Sequence, residues 1–421
     1  MNEYSNPQNM YAPTCGEGKA INFHMADGAY LYDENHEKYI DLWNGFGSVI
    51  LGYNDKDIIK NVTRMINHRM LSMQAPNDYI KELKSLLLED FPSKSHVGLF
   101  TTGTSAVRAA TLTAIEYTCK DIILSAGYHG WDPMWQKGKG LFETNKYQVI
   151  DFYYIIEEFE KMVFLYKDKI AAVVISPDIS YLSDNFYERL FHLCEEYKLL
   201  VIVDDVKCGY RYGVGTSLNP HKYKADLYVV SKGIANGARI SCVIGNENIM
   251  RCMSEFCYTS FYDLYPVISA ITTLKKIKTD KVPETIRAKG NIFIEKLNNK
   301  ILEFGLPIAI TGNGNLFQFV LGTHGLNEAF YIECVKERIC MYKDDNQCPS
   351  YAFNDVVLQE ALERFHRVFE KLAVQFPYVI GEKIPKERYY LAAYNQTDGC
   401  AENMSYKEKI DLILNIVYGE G

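Results

Sequence analysis

Residues 199–211 read LLVIVDDVKCGYR, a run of bulky apolar residues that ends in two adjacent aspartates. An apolar run of this length predicts a strand that is covered on both faces, as in a parallel sheet. In an open α/β sheet, ligands bind at the carboxyl ends of the strands, so an acid at this strand end is placed to meet a ligand atom. The alternative is that Asp204 caps a helix or pairs with an arginine.

A second apolar strand is predicted in DLYVVSK at 226–232, where Lys232 is followed by the small residues of GIANG. A lysine held in a cleft at a strand end loses hydration, which lowers its pKa and makes its amine nucleophilic. The alternative is a solvated surface lysine, which is the usual environment of this residue type.

Further strands and helices alternate around these two segments. The other predicted strands are HVGLF (96–100), DIILS (121–125), AAVVIS (171–176) and ISCVIG (240–245), with helices at 104–118, 186–197 and about 265–277. Strand–helix alternation of this kind predicts an α/β fold with a mainly parallel central sheet.

The two ends of the chain follow a different pattern. GAYLYDENHEKYIDLW at 28–43 predicts a hairpin that turns at 33–36. From about residue 287 come amphipathic helices, a strand at 316–322 and a helix at 355–372. We therefore expect a large α/β domain at 51–285 and a smaller α+β domain at 286–421, with which the N-terminal segment 1–50 packs. Residues after about 376 show no clear periodicity, and no role is predicted for them.

Composition excludes several classes of function. The chain has 421 residues, of which 48% are hydrophobic and 23% charged, as in ordinary globular proteins. A net charge of −8 argues against a general nucleic-acid binder. No apolar run reaches the roughly 20 residues of a membrane-spanning helix, and no secretory signal is recognisable. The 11 cysteines form no C-x-x-C pair, which indicates reduced thiols and no zinc finger. We expect a cytoplasmic protein without a metal site and without nucleic-acid or membrane partners.

A turn that leads into a helix follows the first strand of the α/β region. The segment is LFTTGTSAVRAATLTAIEYT at 99–118. Backbone N–H groups and hydroxyls at a helix N-terminus form an anion site. The alternative is simple N-capping by Thr102 or Thr104. Neither G-x-G-x-x-G nor G-x-x-x-x-G-K-[ST] occurs, so a dinucleotide or ATP-phosphate site is not supported.

An aromatic segment, SAGYHGWD at 125–132, follows the next strand. An exposed aromatic ring at a strand end can stack on a planar ligand, and Tyr128 and His129 are the candidates. The alternative is a turn that packs its own aromatic side chains.

The order and spacing of these segments resemble the class III aminotransferases, most closely the glutamate-1-semialdehyde aminomutase branch. The similar segments are GAYLYDENHEKYIDLWNGFGSVILGY (28–53), TTGTSAVRAA, GYHGWD, VIVDDVKCGYR, VVSKGIANG and YTSFYD (258–263). The resemblance covers about residues 20–375. It implies the PLP-dependent transferase fold type I, with a mainly parallel central sheet and a smaller α+β domain built from the two chain ends. It also implies pyridoxal 5'-phosphate (PLP) as the cofactor.

The resemblance further implies roles for the matched residues. Lys232 would hold the cofactor as a Schiff base and move the substrate proton, and Asp204 would pair with the protonated pyridine nitrogen. Gly103 and Thr104 would bind the cofactor phosphate. Tyr128 would stack on the face of the cofactor ring, with His129 beside it, and Val206 would pack against the ring. Thr259 would reach the phosphate from the partner subunit. The last contact implies a homodimer with shared active sites. Phe46 would lie beside the substrate.

The chain departs from the family's pattern around the substrate. Ser105, Asp205, Lys207, Ser176, Phe261 and Tyr262 stand where the family usually has other residues. The first arginine is Arg64, so none matches the N-terminal arginine that binds the substrate carboxylate in the aminomutase.

We therefore expect an aminotransferase that moves an amino group, from glutamate as the small-molecule donor, to a carbonyl acceptor such as a keto-sugar or a small aldehyde. One alternative is a glutamate-1-semialdehyde-type 2,1-aminomutase, which returns the amine to a neighbouring carbon of the same molecule. Another is a non-catalytic assembly protein with this fold, against which the presence of Lys232 and Asp204 counts.

Overall fold

The fold is described from a computed structural model, which covers residues 21–68, 75–135, 147–177, 182, 184–256, 263–343, 345–385 and 388. The strands in this part of the chain are β1 (Phe23–Asp27), β2 (Tyr30–Asp33), β3 (Lys38–Asp41), β4 (His96–Phe100), β5 (Ile122–Ala126), β6 (Gln148–Asp151), β7 (Ile170–Ile175), β8 (Leu200–Asp205), β9 (Leu227–Val230), β10 (Ser241–Gly245), β11 (Ile308–Asn313), β12 (Leu316–Leu321) and β13 (Ile339–Cys340). The helices are α1 (Asn44–Gly47), α2 (Lys56–Asn67), α3 (Asp78–Asp90), α4 (Gly103–Thr118), α5 (Ile156–Tyr166), α6 (Asp184–Glu196), α7 (Glu247–Met250), α8 (Leu264–Thr279), α9 (Val282–Phe304), α10 (His324–Lys336) and α11 (Asp355–Gln375). None of these helices is long and apolar enough to cross a membrane.

The chain divides into two compact units. Unit 1 contains the described residues up to Lys56 and those from Lys281 onward, and unit 2 contains Asp57–Asp280.

Unit 2 is built on a seven-stranded sheet in the order β4-β10-β9-β8-β7-β5-β6. Only β10 runs against its neighbours, and the pairs from β9 through β8, β7 and β5 to β6 are all parallel. Every residue of β5, β7 and β10 is buried, as expected for strands covered on both faces. The predicted α/β fold with a mainly parallel sheet is therefore confirmed.

Helix α4 packs closely on this sheet because the residues that face the sheet are small. Its buried positions include Ala106, Ala109, Ala110 and Ala114, which are at most 2% exposed. Alanine also has the highest intrinsic helix propensity, so local preference and packing agree in this helix. The close packing fixes the start of α4 relative to the strand ends.

Unit 1 joins the two ends of the chain in one sheet of order β1-β2-β3-β13. The predicted hairpin is present as β2 and β3, and β13 pairs with β3 in parallel, with Ile339 opposite Ile40. A second pair, β11 and β12, is antiparallel. The core of the unit is rich in buried phenylalanine, namely Phe293, Phe317, Phe319, Phe330, Phe353, Phe365 and Phe369.

The structure differs from the sequence-based prediction at the end of β9. The pattern DLYVVSK predicts a strand through residue 232, but β9 ends at Val230. Lys232 instead begins a short 3-10 turn and has a positive φ of 47°. Strand β6 was not predicted. It forms the edge of the sheet, and of its four residues one is exposed, two are half-buried and Asp151 is buried, so it lacks the continuous apolar run of the central strands.

Candidate active site

The carboxyl ends of four parallel strands, β5, β7, β8 and β9, lie at one edge of the unit 2 sheet. In the pair formed by β8 and β9, Asp204 lies opposite Val229 and Asp205 opposite Val230. Lys232 follows shortly after the end of β9. The register therefore places the backbone of Lys232 at the same edge of the sheet as that of Asp204, on the neighbouring strand.

Asp204 is a buried acceptor held by two donors. Its side chain is 2% exposed, and its Oδ2 lies 2.8 Å from Nδ1 of His129. Its Oδ1 accepts a hydrogen bond from the backbone N–H of Val206 at 3.2 Å. An ionised carboxylate only accepts hydrogen bonds, so in that state the proton of the pair lies on Nδ1 of His129. Nε2 of His129 is buried without a hydrogen-bond partner among the described residues. An oriented buried carboxyl group of this kind suits a cationic ring N–H.

The plane of His129 is set by a neighbouring tryptophan. The ring centroids of His129 and Trp135 are 4.8 Å apart and the rings are tilted by 50°. Trp135 ends a 3-10 turn that begins after Asp132, whose Oδ1 accepts from the backbone N–H of Met134 at 3.0 Å. Oδ2 of Asp132 accepts from Nη1 of Arg108 at 3.1 Å. Trp135 was not predicted as part of the site, although it lies six residues after His129 in the sequence.

Asp205, the neighbour of Asp204, has a different environment. It is fully buried and accepts hydrogen bonds from Oγ1 of Thr216 at 2.5 Å, from Oγ of Ser217 at 2.5 Å and from the backbone N–H of Ser217 at 3.0 Å. Burial raises the pKa of the Asp205 carboxyl to about 6. Asp205 thus anchors the loop that follows β8, while Asp204 faces His129.

The predicted phosphate turn caps helix α4. Oγ1 of Thr102 accepts from the backbone N–H of Ser105 at 3.1 Å, and Oγ of Ser105 accepts from the backbone N–H of Thr102 at 3.3 Å. This reciprocal arrangement is a capping box. Thr102 is therefore the N-cap residue of α4, as the alternative interpretation of this segment predicted. Its partner in the capping box, Ser105, stands where the family usually has glutamate. The turn remains a helix N-terminus of the kind that binds anions.

Two glycines allow three segments of the site to approach one another. A Cβ on Gly103 would lie 2.8 Å from Cγ1 of Val206, so the α4 turn passes directly beside the residue that follows β8. Gly130 has a φ of +87°, and a Cβ there would overlap Oγ1 of Thr104. The start of α4, the loop after β5 and the end of β8 therefore converge through Gly103, Val206, Thr104 and Gly130.

Lys232 is held in a strained backbone conformation. A non-glycine residue in the left-handed region costs on the order of 1–2 kcal/mol, and such residues concentrate at functional sites. Oγ of Ser231, the preceding residue, donates to the carbonyl of Ile240 at 3.0 Å. At the other end of the turn, the carbonyl of Ala235 accepts from Oγ of Ser269 at 2.7 Å. These buried bonds hold the turn on which Lys232 is mounted, and the lysine itself is half-buried.

Tyr128 presents an exposed ring beside the buried pair. Its side chain is 48% exposed, as expected for a ring that stacks on a ligand. The preceding Gly127 has a φ of +103°, and a Cβ there would overlap the hydroxyl of Tyr154. That hydroxyl donates to the carbonyl of Ser176 at 2.5 Å. Tyr154 therefore connects the ends of β5 and β7 and supports the backbone that carries Tyr128. Nothing in the sequence indicated this role.

The predicted site residues are distributed as follows. Seven lie at this edge of unit 2, namely Gly103, Thr104, Tyr128, His129, Asp204, Val206 and Lys232. Phe46 belongs to unit 1, and its contact with the substrate stays a prediction. Thr259 lies outside the described residues, as do Phe261 and Tyr262, so the predicted contact from a partner subunit also stays a prediction.

The chain is similar to known proteins over most of its length. A family model described as aminotransferase class-III matches residues 14–132 and 141–369. A 2'-deamino-2'-hydroxyneamine transaminase of Streptomyces kanamyceticus is 28% identical over 345 residues, which are 80% of this chain and 88% of the relative. A glutamate-1-semialdehyde 2,1-aminomutase of Nitrosopumilus maritimus (strain SCM1) is 28% identical over 322 residues, which are 70% of this chain and 75% of the relative.

The fold is also found among solved structures. The FumI protein of Sphingopyxis sp. MTA144, solved with PLP, superposes with a TM-score of 0.81 at 23% identity. The superposition covers 90% of this chain and 96% of that protein. The predicted PLP-dependent transferase fold is therefore confirmed.

Proposed function

The chain belongs to the class III aminotransferase family, whose cofactor is PLP, and on that premise we propose that it transfers an amino group from glutamate to a keto-sugar or a small aldehyde. The observation that carries this proposal is the buried pair of His129 and Asp204, 2.8 Å apart, in which Asp204 lies on β8, the strand next to the one that leads to Lys232. A buried acid oriented by a hydrogen-bond donor, with an amine near the end of the adjacent strand, is what this chemistry requires of the protein.

The residues present fit the cofactor. A Cβ on Gly103 would meet Val206 at 2.8 Å, so the position is compatible only with a very small residue beside the α4 N-terminus. The exposed ring of Tyr128 provides a stacking surface, and Asp204 provides the buried acceptor. Lys232, Asp204 and Tyr128 would hold the ring of PLP, and the turn at Gly103 and Thr104 would hold its phosphate. When bound, PLP supplies a carbonyl that captures the amine and a ring that takes up electrons from the substrate carbon.

The side chains of the chain then have separate tasks. Nζ of Lys232 takes the proton from the substrate carbon that bears the amine and later gives a proton back. The carboxylate of Asp204 favours the cationic form of a ring nitrogen, because an opposite charge nearby stabilises that form. Nδ1 of His129 donates to Asp204 and fixes the orientation of the carboxylate. Tyr128 covers the ring face and excludes water.

Features of the sequence support an uncharged, hydroxylated acceptor. No arginine precedes Arg64, so the N-terminal region offers no guanidinium for a substrate carboxylate. The loss of one charge-assisted bidentate contact costs on the order of 1.5–3 kcal/mol, roughly ten- to a hundredfold in binding. The relative from Streptomyces kanamyceticus is named as a transaminase of 2'-deamino-2'-hydroxyneamine, a name that includes a hydroxyl group.

The proposal includes a homodimer in the cytoplasm. The resemblance of Thr259 to the threonine that reaches the phosphate of the partner subunit supports shared active sites. The cysteine pattern, which lacks C-x-x-C pairs, supports a reducing compartment. Size-exclusion chromatography with light scattering tests the dimer, for which the expected mass is twice the 48.3 kDa of the chain.

The second candidate function is a 2,1-aminomutase, which the relative from Nitrosopumilus maritimus favours. The two functions differ in their need for an acceptor, since a transaminase that has taken up an amine requires a separate carbonyl compound and a mutase does not. We expect amines to change the absorbance of the bound cofactor, and keto-sugars or aldehydes to reverse that change. Efficient isomerisation of glutamate-1-semialdehyde without an added acceptor would support the aminomutase function and contradict the transaminase function.

A further inference from the structure

The turn between β6 and α5 contains two tyrosines in an unusual backbone conformation. Tyr153 and Tyr154 have φ angles of 51° and 58°, and the backbone N–H of Ile155 donates to the carbonyl of Phe152 at 2.8 Å. A turn with positive φ at both central residues is normally made of glycine, asparagine or aspartate. Residues with a Cβ are strained in this conformation, and such strain persists where the surroundings impose it, most often at functional sites.

Buried contacts on both sides of the turn impose this conformation. Oδ1 of Asp151, a buried residue, accepts a hydrogen bond from the backbone N–H of Tyr153 at 2.7 Å. The backbone N–H of Phe152 donates to the carbonyl of Ser125, the residue of β5 that lies opposite Asp151, at 3.0 Å. The ring of Phe152 is fully buried and packs against Phe159 of α5. The turn is therefore fixed to the end of β5.

The turn places one tyrosine side chain at the ends of two strands. Tyr154 is 6% exposed, and its hydroxyl donates to the carbonyl of Ser176, the residue after β7, at 2.5 Å. The backbone N–H of Ser176 donates to the carbonyl of Ala126, the last residue of β5, at 3.0 Å. The ring of Tyr154 meets Phe186 edge-on, with 6.1 Å between the ring centroids. The hydroxyl of Tyr154 therefore lies where β5 and β7 end.

Gly127 is the residue whose position this hydroxyl limits. Its φ is +103°, and a Cβ there would overlap Oη of Tyr154 and lie 2.7 Å from Cβ of Ser176. The hydroxyl thus occupies the space that a side chain at residue 127 would fill. The next residue is Tyr128, whose ring is 48% exposed at the candidate site. Because Gly127 and Tyr128 share a planar peptide bond, a shift of the Gly127 backbone displaces the ring of Tyr128.

We propose that Tyr154 is a positioning residue, which sets the tilt of the Tyr128 ring on the cofactor and thereby the rate of proton transfer by Lys232. This inference rests on the proposed function and adds to it a residue that acts through Tyr128. The ring that Tyr128 covers determines how the substrate carbon is presented to Nζ of Lys232, and a misplacement of about 1 Å can slow a reaction up to roughly a hundredfold. Capture of the amine depends less on this alignment, so the effect falls on kcat rather than on KM.

Tyr154→Phe tests the inference on the holoenzyme, because it keeps the ring beside Phe186 and removes only the hydroxyl. We expect the glutamate half-reaction to slow roughly tenfold at saturating glutamate, with the half-saturating concentration within about twofold of the wild type. The circular dichroism of bound PLP in its visible absorption band, which reports the orientation of the cofactor, should change. Tyr228→Phe is the matched control, since it removes a buried hydroxyl that accepts from the backbone N–H of Ala225 at 3.2 Å near the start of β9. It should leave both the rate and the band unchanged.

A double-variant cycle determines whether Tyr154 acts through Tyr128. Tyr128→Leu removes the stacking ring, so the hydroxyl of Tyr154 no longer has a ring to position. We expect Tyr154→Phe to slow the half-reaction roughly tenfold in the wild type and less than about twofold in Tyr128→Leu. Equal losses in the two backgrounds would overturn the inference and leave Tyr154 a structural role only.

The circular dichroism of bound PLP separates this inference from the proposed function, because it requires no turnover. If the band changes in Tyr154→Phe but not in Tyr228→Phe, while no keto-sugar or aldehyde accepts the amine, the proposed function is overturned and the inference stands. If such acceptors are used, but the band and the rate of Tyr154→Phe equal those of the wild type, the inference is overturned and the proposed function stands. Gly127→Ala is a second variant, since its Cβ would press on the same hydroxyl, and an unchanged band there would also contradict the inference.

Discussion

Nδ1 of His129 lies 2.8 Å from Oδ2 of Asp204, and both side chains are almost completely buried. The bond joins the loop after β5 to the end of β8, two segments 75 residues apart in the chain. It gives Asp204 a fixed orientation in a place where water does not compete for its oxygens.

Removing the donor of the pair should slow catalysis while leaving the fold intact. His129→Phe keeps a ring to pack on Trp135 but loses the hydrogen bond to Asp204. A hydrogen bond to a charged group contributes about 1.5–3 kcal/mol, so we expect the amine half-reaction to slow roughly ten- to a hundredfold. Single-turnover absorbance measurements give the rate. His129→Asn, which keeps an N–H donor, should recover part of it, and equal rates in the two variants would mean that the hydrogen bond has no positioning role.

The two adjacent aspartates should respond differently to the same substitution. Asp204→Asn removes the charge that favours a protonated ring nitrogen, so we expect proton abstraction to slow by roughly 10²–10⁴ while PLP binding largely persists. Asp205→Asn should slow it less than about tenfold, because Asp205 contacts the loop at Thr216 and Ser217. Rates of the amine half-reaction in Asp204→Asn and Asp205→Asn measure the two effects. Comparable losses in both variants would show that the wrong acid has been assigned.

Asp205 should give the stability of the protein a distinct pH dependence. Burial raises the pKa of this carboxyl to about 6, so the folded state favours its protonated form. The stability that the protonated Asp205 carboxyl contributes is therefore fully present below about pH 4. It is lost as the pH rises through about 6. The difference between this pKa in the folded state and the ordinary aspartate pKa of the unfolded chain corresponds to roughly 3 kcal/mol.

Denaturant unfolding of the wild type and Asp205→Asn at pH 4 and pH 7 measures this contribution. The free energy of unfolding of the wild type should fall relative to that of the variant between the two pH values. Because both proteins share all other titrating groups, a difference that does not change with pH would contradict a raised pKa at Asp205.

The close approach of the α4 turn to Val206 should limit what residue 103 can be. Gly103→Ala places a Cβ 2.8 Å from Cγ1 of Val206, so we expect PLP to bind roughly tenfold more weakly. The double variant Gly103→Ala with Val206→Ala should regain part of the affinity. Gly213→Ala is the control, because no atom lies within 4 Å of a Cβ there. Additive losses in the double variant would show that the contact does not shape the site.

The sequence predicted the parts of the site that depend on short-range patterns. Asp204 and Lys232 follow apolar strands, and a parallel sheet brings such strand ends to one edge. Pattern alone could not distinguish Asp204 from Asp205, since successive side chains of a strand point to opposite faces. The resemblance to a family supplied that choice.

Other parts of the site depend on contacts between distant segments. Tyr154 acts through the carbonyl of Ser176, 22 residues away, and no local feature of the sequence marks it. The left-handed conformation of Lys232 was likewise hidden, because lysine ordinarily avoids it and the hydrogen bonds around Ser231 impose it. Away from the site, in unit 1, Trp43 stacks on Tyr342, which lies about 300 residues later in the chain, so the sequence does not mark this contact either.

Borohydride reduction of the holoenzyme, followed by peptide mapping, identifies the lysine that binds the cofactor. The purified protein should be yellow, and reduction should fix PLP on Nζ of Lys232 and on no other lysine. Lys232→Ala should show no such label, although it should fold normally by circular dichroism. A label on a different lysine of the wild type would contradict the assignment of Lys232 and, with it, the assignment of Asp204 as the partner of the cofactor ring.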